Sequence, residues 1–149
     1  MRFGIIDHND DTGRPHVAQI AERLELIEAY DRLGFYAYHL TEHHGTPLSV
    51  TPSPHLMLAA AAHPDAGQGA MVRAARHADD GARQTFEGIH AAGHFYAGDP
   101  AGAREWVARH RDIAGINYMA LETCFGDMSK EEALRSAELL ATEVMPHFA

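Results

Sequence analysis

Apolar and polar positions run along the chain in two rhythms, and the switches between them mark its elements. Residues 2–7, in the run Arg2-Phe-Gly-Ile-Ile-Asp7, read as a short buried strand. The polar stretch Asn9-Asp-Asp-Thr-Gly-Arg-Pro15 is then a turn whose proline suits the opening of a helix. From there Val17, Ile20, Leu24 and Ile27 recur at helical spacing, with Glu22, Arg23, Glu25 and Glu28 largely on the other faces. Gly34 ends that helix as a left-handed cap, and residues 35–41 follow as a β-rich run after almost no linker. Strand, helix and strand in such close succession predict a βαβ unit with parallel strands and a right-handed crossover.

Residues 46–54 read as a loop, with Ser53 and Pro54 as the cap and first turn of a short helix over 55–62 that Pro64 ends. The pattern then weakens. Over 63–98 glycines interrupt repeatedly, and only Met71, Val72, Ala75 and Ala78 mark an amphipathic helix, over 70–83. Clear signals return with Asp99 and Pro100, which cap a helix whose Ala103, Trp106, Val107 and His110 share a face. Gly115 closes that helix before a strand over 116–123. Ser129 and Glu132 have capping-box spacing, and they open a last helix with the stripe Ala133, Ala137, Leu140, Ala141 and Val144. The reading is one α/β domain over 1–149, with three parallel strands, helices packed outside them and 63–98 as the weakly patterned segment.

Composition narrows the function classes. A net charge of −9 argues against nucleic-acid and anionic-membrane partners, which need clustered Lys and Arg. The longest apolar run, residues 56–62, is too short to span a bilayer, and with no secretory leader in view the expected location is the cytoplasm. Cys124 is the only cysteine, so neither an internal disulfide nor a cysteine-rich zinc site is expected.

Particular residues at both ends of the chain carry a resemblance. The first strand, Glu42-His-His44 after the second strand, and Thr51-Pro-Ser-Pro54 before the next helix are similar to the amino-terminal part of bacterial luciferase-like flavin monooxygenases. Asn117-Tyr-Met-Ala-Leu-Glu-Thr-Cys-Phe-Gly-Asp-Met128 and the helix ending in Val144-Met-Pro146 resemble their last strand and terminal helix. A full (β/α)₈ barrel takes roughly 250 residues, and this chain has 149. The resemblance therefore implies a partial (β/α) barrel-like parallel sheet with the middle strands missing. Because the last strand of a closed barrel sits beside the first, the implied order is C-terminal strand, first strand, second strand. Two open edges and an unlined face then lead us to expect a homodimer or a complex with another subunit.

In a barrel-like sheet the active site lies at the carboxyl ends of the strands. Here those ends are Asp7-His8, Glu42-His43-His44 and Thr123-Cys124-Phe125. The resemblance maps the family's proton-transferring histidine onto His43, with Glu42 beside the flavin as an orienting or charge-stabilising carboxylate, and an unperturbed imidazole titrates near pH ~6.5. It implies reduced FMN delivered by a separate flavin reductase, molecular oxygen, and oxygenation of a small organic substrate. No counterpart of the family's phosphate-holding segment is recognisable, so the site is expected to be completed by oligomerisation. The alternative is a non-catalytic luciferase-like partner or shortened descendant that acts through an interface. Asp7 and His8 read as turn formers, Cys124 as a small buried residue and Trp106 as core packing. A metal site is disfavoured, because His39 and His43 on one strand face stand about 13 Å apart and adjacent His43 and His44 point to opposite faces.

Overall fold

A computed structural model describes residues 1–41, 49–50, 54–62 and 95–149, with the side chains of 54–56 excepted. The expected helix over 70–83, the loop over 46–54 apart from residues 49, 50 and 54, and the residues Ser53 and Pro64 lie outside them.

Three strands, β1 (Arg2–Asp7), β2 (Tyr38–Leu40) and β3 (Tyr118–Leu121), form a parallel sheet in the order β2-β1-β3. This is the barrel-derived order, with the last strand beside the first. The registers pair Ile5 with Tyr38 on one side and Ile5 with Leu121 on the other. β1 alternates: Phe3, Ile5 and Asp7 point into the protein core, so Gly4 and Ile6 lie on the opposite face. On that opposite face the packing is close. A Cβ added at Gly4 would stand 2.0 Å from Tyr118 Oη and 2.9 Å from the Ala37 carbonyl oxygen. Tyr118 passes over this glycine to meet His39 Nε2 at 2.6 Å.

Both flanking strands are shorter than their sequence patterns. The expected spans were 35–41 and 116–123, whereas the ladders cover Tyr38–Leu40 and Tyr118–Leu121. Backbone bonding nevertheless continues outside the ladders: Tyr36 N–H donates to Phe3 O, Thr41 N–H to Asp7 O, and Arg2 N–H to Asn117 O. Among the described residues the outer edges of β2 and β3 pair with no strand.

Helix α1 (His16–Arg32) connects β1 to β2, and Pro15 stands just before it with extended backbone. Gly34 follows with φ +81°, the left-handed stop its position predicts. Two side chains of α1 depart from the stripe read from the sequence. Val17 is 83% exposed, at the helix's open first turn, and Arg23 is buried at 6%. A hydrophobic stripe cannot anticipate Arg23, because what buries it is a carboxylate on β1. Helix α2 (Pro54–Ala61) packs on α1.

Helix α3 (Pro100–Ala114) has the expected cap. Asp99 accepts a hydrogen bond from Gly102 N–H at 2.8 Å, and Gly115 closes the helix with φ +62°. Val107 is fully buried and Trp106 packs at the core's margin, its ring 4.2 Å from that of His110. Helix α4 (Lys130–Leu139) opens with both bonds of the Ser129/Glu132 capping box. Its stripe buries Ala133 and Ala137 completely. The last helix was expected to run on to its end. Instead it widens to a π turn over Leu140–Val144 and tightens to a 3₁₀ turn over Met145–Phe148. Pro146 explains the change, since it lacks an N–H and its ring clashes with the carbonyl four residues earlier. The adjustment returns the chain to the sheet, where Phe148 meets Phe3 edge-on at 6.0 Å and its carbonyl accepts from the Met1 ammonium.

Candidate functional site

The carboxyl ends of β1, β2 and β3 meet at one rim, and β1 holds them there from the middle of the sheet. Thr41, at the end of β2, donates its N–H to Asp7 O at 3.0 Å. In the loop after β1, Asn9 N–H donates to Asp7 Oδ1 at 2.7 Å, and Asn9 takes a left-handed φ of +50° that few residues other than glycine adopt readily. The loops after β2 and β3 are pinned to the same segment, through Val50 N–H to Asn9 O at 3.1 Å and Gly126 N–H to Asp10 Oδ2 at 3.0 Å.

Beneath the rim, on the helix side, lies a buried charge pair. Asp7 Oδ2 is 3.2 Å from Arg23 Nε and accepts from Tyr38 Oη at 2.6 Å. Both charged side chains are less than a tenth exposed. Arg23 also reaches the thiol of Cys124. Burial raises the Cys124 thiol, against the lowering pull of that guanidinium. Burial likewise raises the phenol of Tyr38 well above its ordinary range, with Asp7 adding to the effect. Asp7 is thus more than a turn former. It ties β1 to α1 and β2, and its partner Arg23 reaches Cys124 after β3.

On the other side of the rim three polar side chains converge from three strands. His8 Nδ1 stands 3.3 Å from Thr41 Oγ1, and His8 Nε2 stands 4.0 Å from Glu122 Oε2. His8 and Glu122 are each 28% exposed, so water and solutes reach them. The Glu122 carboxyl is pushed up to about 7, first by burial and then by the charges of Asp10 and Asp7, against a backbone hydrogen bond from His8 and the attraction of Arg23. Its Oε1 is buried without a hydrogen-bond partner among the described residues. A carboxyl in this state holds a proton close to neutral pH, where an acid and a base are both useful.

Of the residues singled out from the sequence, Glu42, His43 and His44 lie outside the described residues. Thr41, immediately before them, is buried on the rim. His8 read as a turn former, and the structure sets it between Thr41 and Glu122. Glu122, Thr41 and Arg23 were not singled out as site residues. The signal for Glu122 was available: Tyr118, Ala120 and Glu122 alternate along one face, and a strand beside β1 brings that face next to Gly4, Ile6 and His8. An open groove of about 370 Å³ lined by Arg2, Gly34, Tyr36 and Met145 lies at the amino-terminal end of the sheet, opposite the rim.

The described rim does not fit the phosphate of the FMN that the resemblance implies. Asp10 and Glu122 face it with carboxylates, and Arg23, the guanidinium beneath them, is buried and held by Asp7 and Cys124.

Comparison with known proteins bears on the amino-terminal part of the chain. Residues 1–65 match the family described as luciferase-like monooxygenase. The chain is 55% identical over 62 residues to "Uncharacterized protein y4wF" of Sinorhizobium fredii (strain NBRC 101917 / NGR234). That match covers 42% of this chain and 18% of the relative. No solved structure matches the chain significantly. The matched stretch holds β1, α1 and β2, two of the three strands that build the rim, and β3 lies where a closed barrel places its last strand. Residues 1–65 are thus similar to luciferase-like monooxygenases, and within them β1, α1 and β2 form a βαβ unit of a parallel sheet.

Proposed function

We propose that the chain acts as a luciferase-like flavin-dependent monooxygenase whose reduced-FMN site is completed by another chain, in a homodimer or with a different subunit. The observation that carries this reading is the meeting of three strand ends at one rim in a chain whose first 65 residues match the family. The open outer edges of β2 and β3 among the described residues support association. When bound, the reduced flavin supplies the electrons that activate molecular oxygen for transfer to a small organic substrate, and a separate reductase in the cytoplasm renews it. In this reading His43 moves the proton and Glu42 orients it beside the flavin, while Thr41 and Asp7 fix the backbone that leads to them.

The acidic rim favours a second reading, that of a non-catalytic, luciferase-like partner that does not hold flavin alone. Anaerobic titration with reduced FMN, with the mass determined by light scattering on the same sample, separates the two. Saturable binding by a dimer supports the first. No binding up to millimolar flavin overturns it and favours the second. In a preparation that turns over, unchanged oxygenase activity in His43→Ala would remove His43 from its role.

A further inference from the structure

The cluster formed by His8, Thr41 and Glu122 is independent of whether this chain binds flavin. Its three members come from the ends of β1, β2 and β3, so the sheet itself brings them together. The imidazole has a group at each nitrogen, with Thr41 Oγ1 3.3 Å from Nδ1 and Glu122 Oε2 4.0 Å from Nε2. The hydroxyl is itself fixed, for it also reaches Asp7 O at 3.4 Å and its residue is buried. The separation of 4.0 Å exceeds a direct hydrogen bond, and a small shift, a bridging water or a ligand atom would close it.

We propose that His8 and Glu122, with Thr41 behind the imidazole, form a proton-exchange site at the rim that takes an uncharged hydrogen-bonding group, such as a carbonyl or hydroxyl, in preference to an anion. The exchange is balanced within the pair. A proton leaves Glu122 Oε2 for His8 Nε2, and a neutral acid and neutral imidazole become a carboxylate and an imidazolium of the same total charge. His8 and Glu122 are each 28% exposed, so a ligand's hydroxyl or carbonyl can reach the pair from solvent.

The surroundings set the preference for an uncharged ligand. Asp7 and Asp10 face Glu122 from the end of β1 and the loop after it, Cys124 from its own strand's end, and Arg23 from α1. Arg23 is balanced by Asp7 at 3.2 Å and an ionised Glu122 by the imidazolium its proton creates, so Asp10 leaves the described part of the rim net negative. An anion would meet that charge directly. A protonated Glu122 offers it no compensating cation.

The test is an NMR pH titration of the full chain, following the Glu122 side-chain carbon and the His8 ring nitrogens. The expected result is a Glu122 transition near neutrality that also appears in the His8 ring shifts. In Glu122→Gln the His8 midpoint should fall by on the order of one pH unit, as the imidazolium loses its carboxylate. A Glu122 transition in the ordinary carboxylate range, or a His8 curve unmoved by the substitution, overturns the proposal. Thr41→Val probes the site from the other nitrogen, and it serves alone should Glu122→Gln fail to fold. It should shift the ring's tautomer balance, and an unchanged balance counts against the site. Acetone and inorganic phosphate are the ligand probes. Shifts at His8 and Glu122 with acetone, and none there with phosphate, support the preference, and the reverse overturns it. Since none of these readouts involves flavin, failure here is distinct from failure of the monooxygenase reading.

Discussion

Replacing Glu122 by Gln should make the protein more stable at neutral and alkaline pH and leave it nearly unchanged in acid. The reason is the proton that the folded chain holds. Glu122 rises from an ordinary value of 4.5 to about 7 in the folded protein, because burial and the charges of Asp10 and Asp7 disfavour its carboxylate. Between those two values the folded state binds more protons than the unfolded state, so stability falls as pH rises. Below about 4.5 the carboxyl is protonated in both states and adds no penalty. The penalty grows from there and is complete above about 7. At about 1.4 kcal/mol per pH unit the full shift corresponds to about 3 kcal/mol. The side chain is 28% exposed, so solvent screening makes that an upper figure and roughly 1–2 kcal/mol a fairer expectation. Gln keeps the shape and a hydrogen-bonding end without the charge. Urea unfolding of both proteins at pH 4.5, 6, 7.5 and 9 gives the difference in stability at each pH, provided the slopes agree. That difference should be close to zero at the lowest pH and reach its plateau by the third. A difference independent of pH would show that Glu122 titrates alike in both states and would refute the reasoning.

Two further substitutions test the fold around the rim. Arg23→Met strands the Asp7 carboxylate among buried groups and should cost about 3–5 kcal/mol, whereas adding Asp7→Asn should recover much of the loss; urea unfolding of the single and double variants decides it, and a double variant as unstable as the single would refute the ion-pair account. Gly4→Ala places a methyl group 2.0 Å from Tyr118 Oη and 2.9 Å from the Ala37 carbonyl oxygen, so it should cost about 1–3 kcal/mol; adding Tyr118→Phe should relieve only the first clash, and calorimetric Tm values should rank wild type above the double variant and the double above Gly4→Ala.

Elements whose signals are local were legible in the sequence. The Ser129/Glu132 box, the Asp99 cap and the glycines at 34 and 115 act within one turn of chain, and each stands in the structure where its spacing puts it. Strand order was legible for a different reason: it came from the resemblance to a closed barrel, not from periodicity, which says nothing about which strands are neighbours. Val17 and Arg23 show what a helical stripe leaves out. The stripe gives a direction around the helix axis, but the depth of a side chain depends on where the helix ends and on what faces it. At the exposed first turn of α1 an apolar Val17 stays in solvent, and further along Asp7 draws Arg23 inward. His8 and Glu122 were readable only by joining two inferences, the alternation along each strand and the adjacency of β1 and β3. Glu42 and His43 lie outside the described residues, so the resemblance alone speaks for them.

Among the described residues the rim is organised by a three-stranded parallel sheet. Thr41, Val50 and Gly126 each donate a backbone N–H to the end of β1 or the loop after it, and the buried pair of Asp7 and Arg23 fixes that end to α1. A central strand bonded on both sides therefore preorganises one wall of a site, with its proton-handling groups on the exposed side and its structural charges beneath. The wall that binds an anion has the opposite requirement, cations or free N–H groups facing outward. On this rim the N–H groups of Asn9, Thr41 and Gly126 are spent on holding loops together, and Arg23 is spent on Asp7. The described rim therefore has the features of the first wall and not those of the second. The match to the Sinorhizobium protein covers 18% of that relative, a stretch that contains the βαβ unit of the first wall. A flavin phosphate bound by this protein must find its cation beyond the described rim, either elsewhere in this chain or on a partner. In the flavin titration, saturable binding by a monomer would place that cation in this chain, and binding only by a larger assembly would favour the partner.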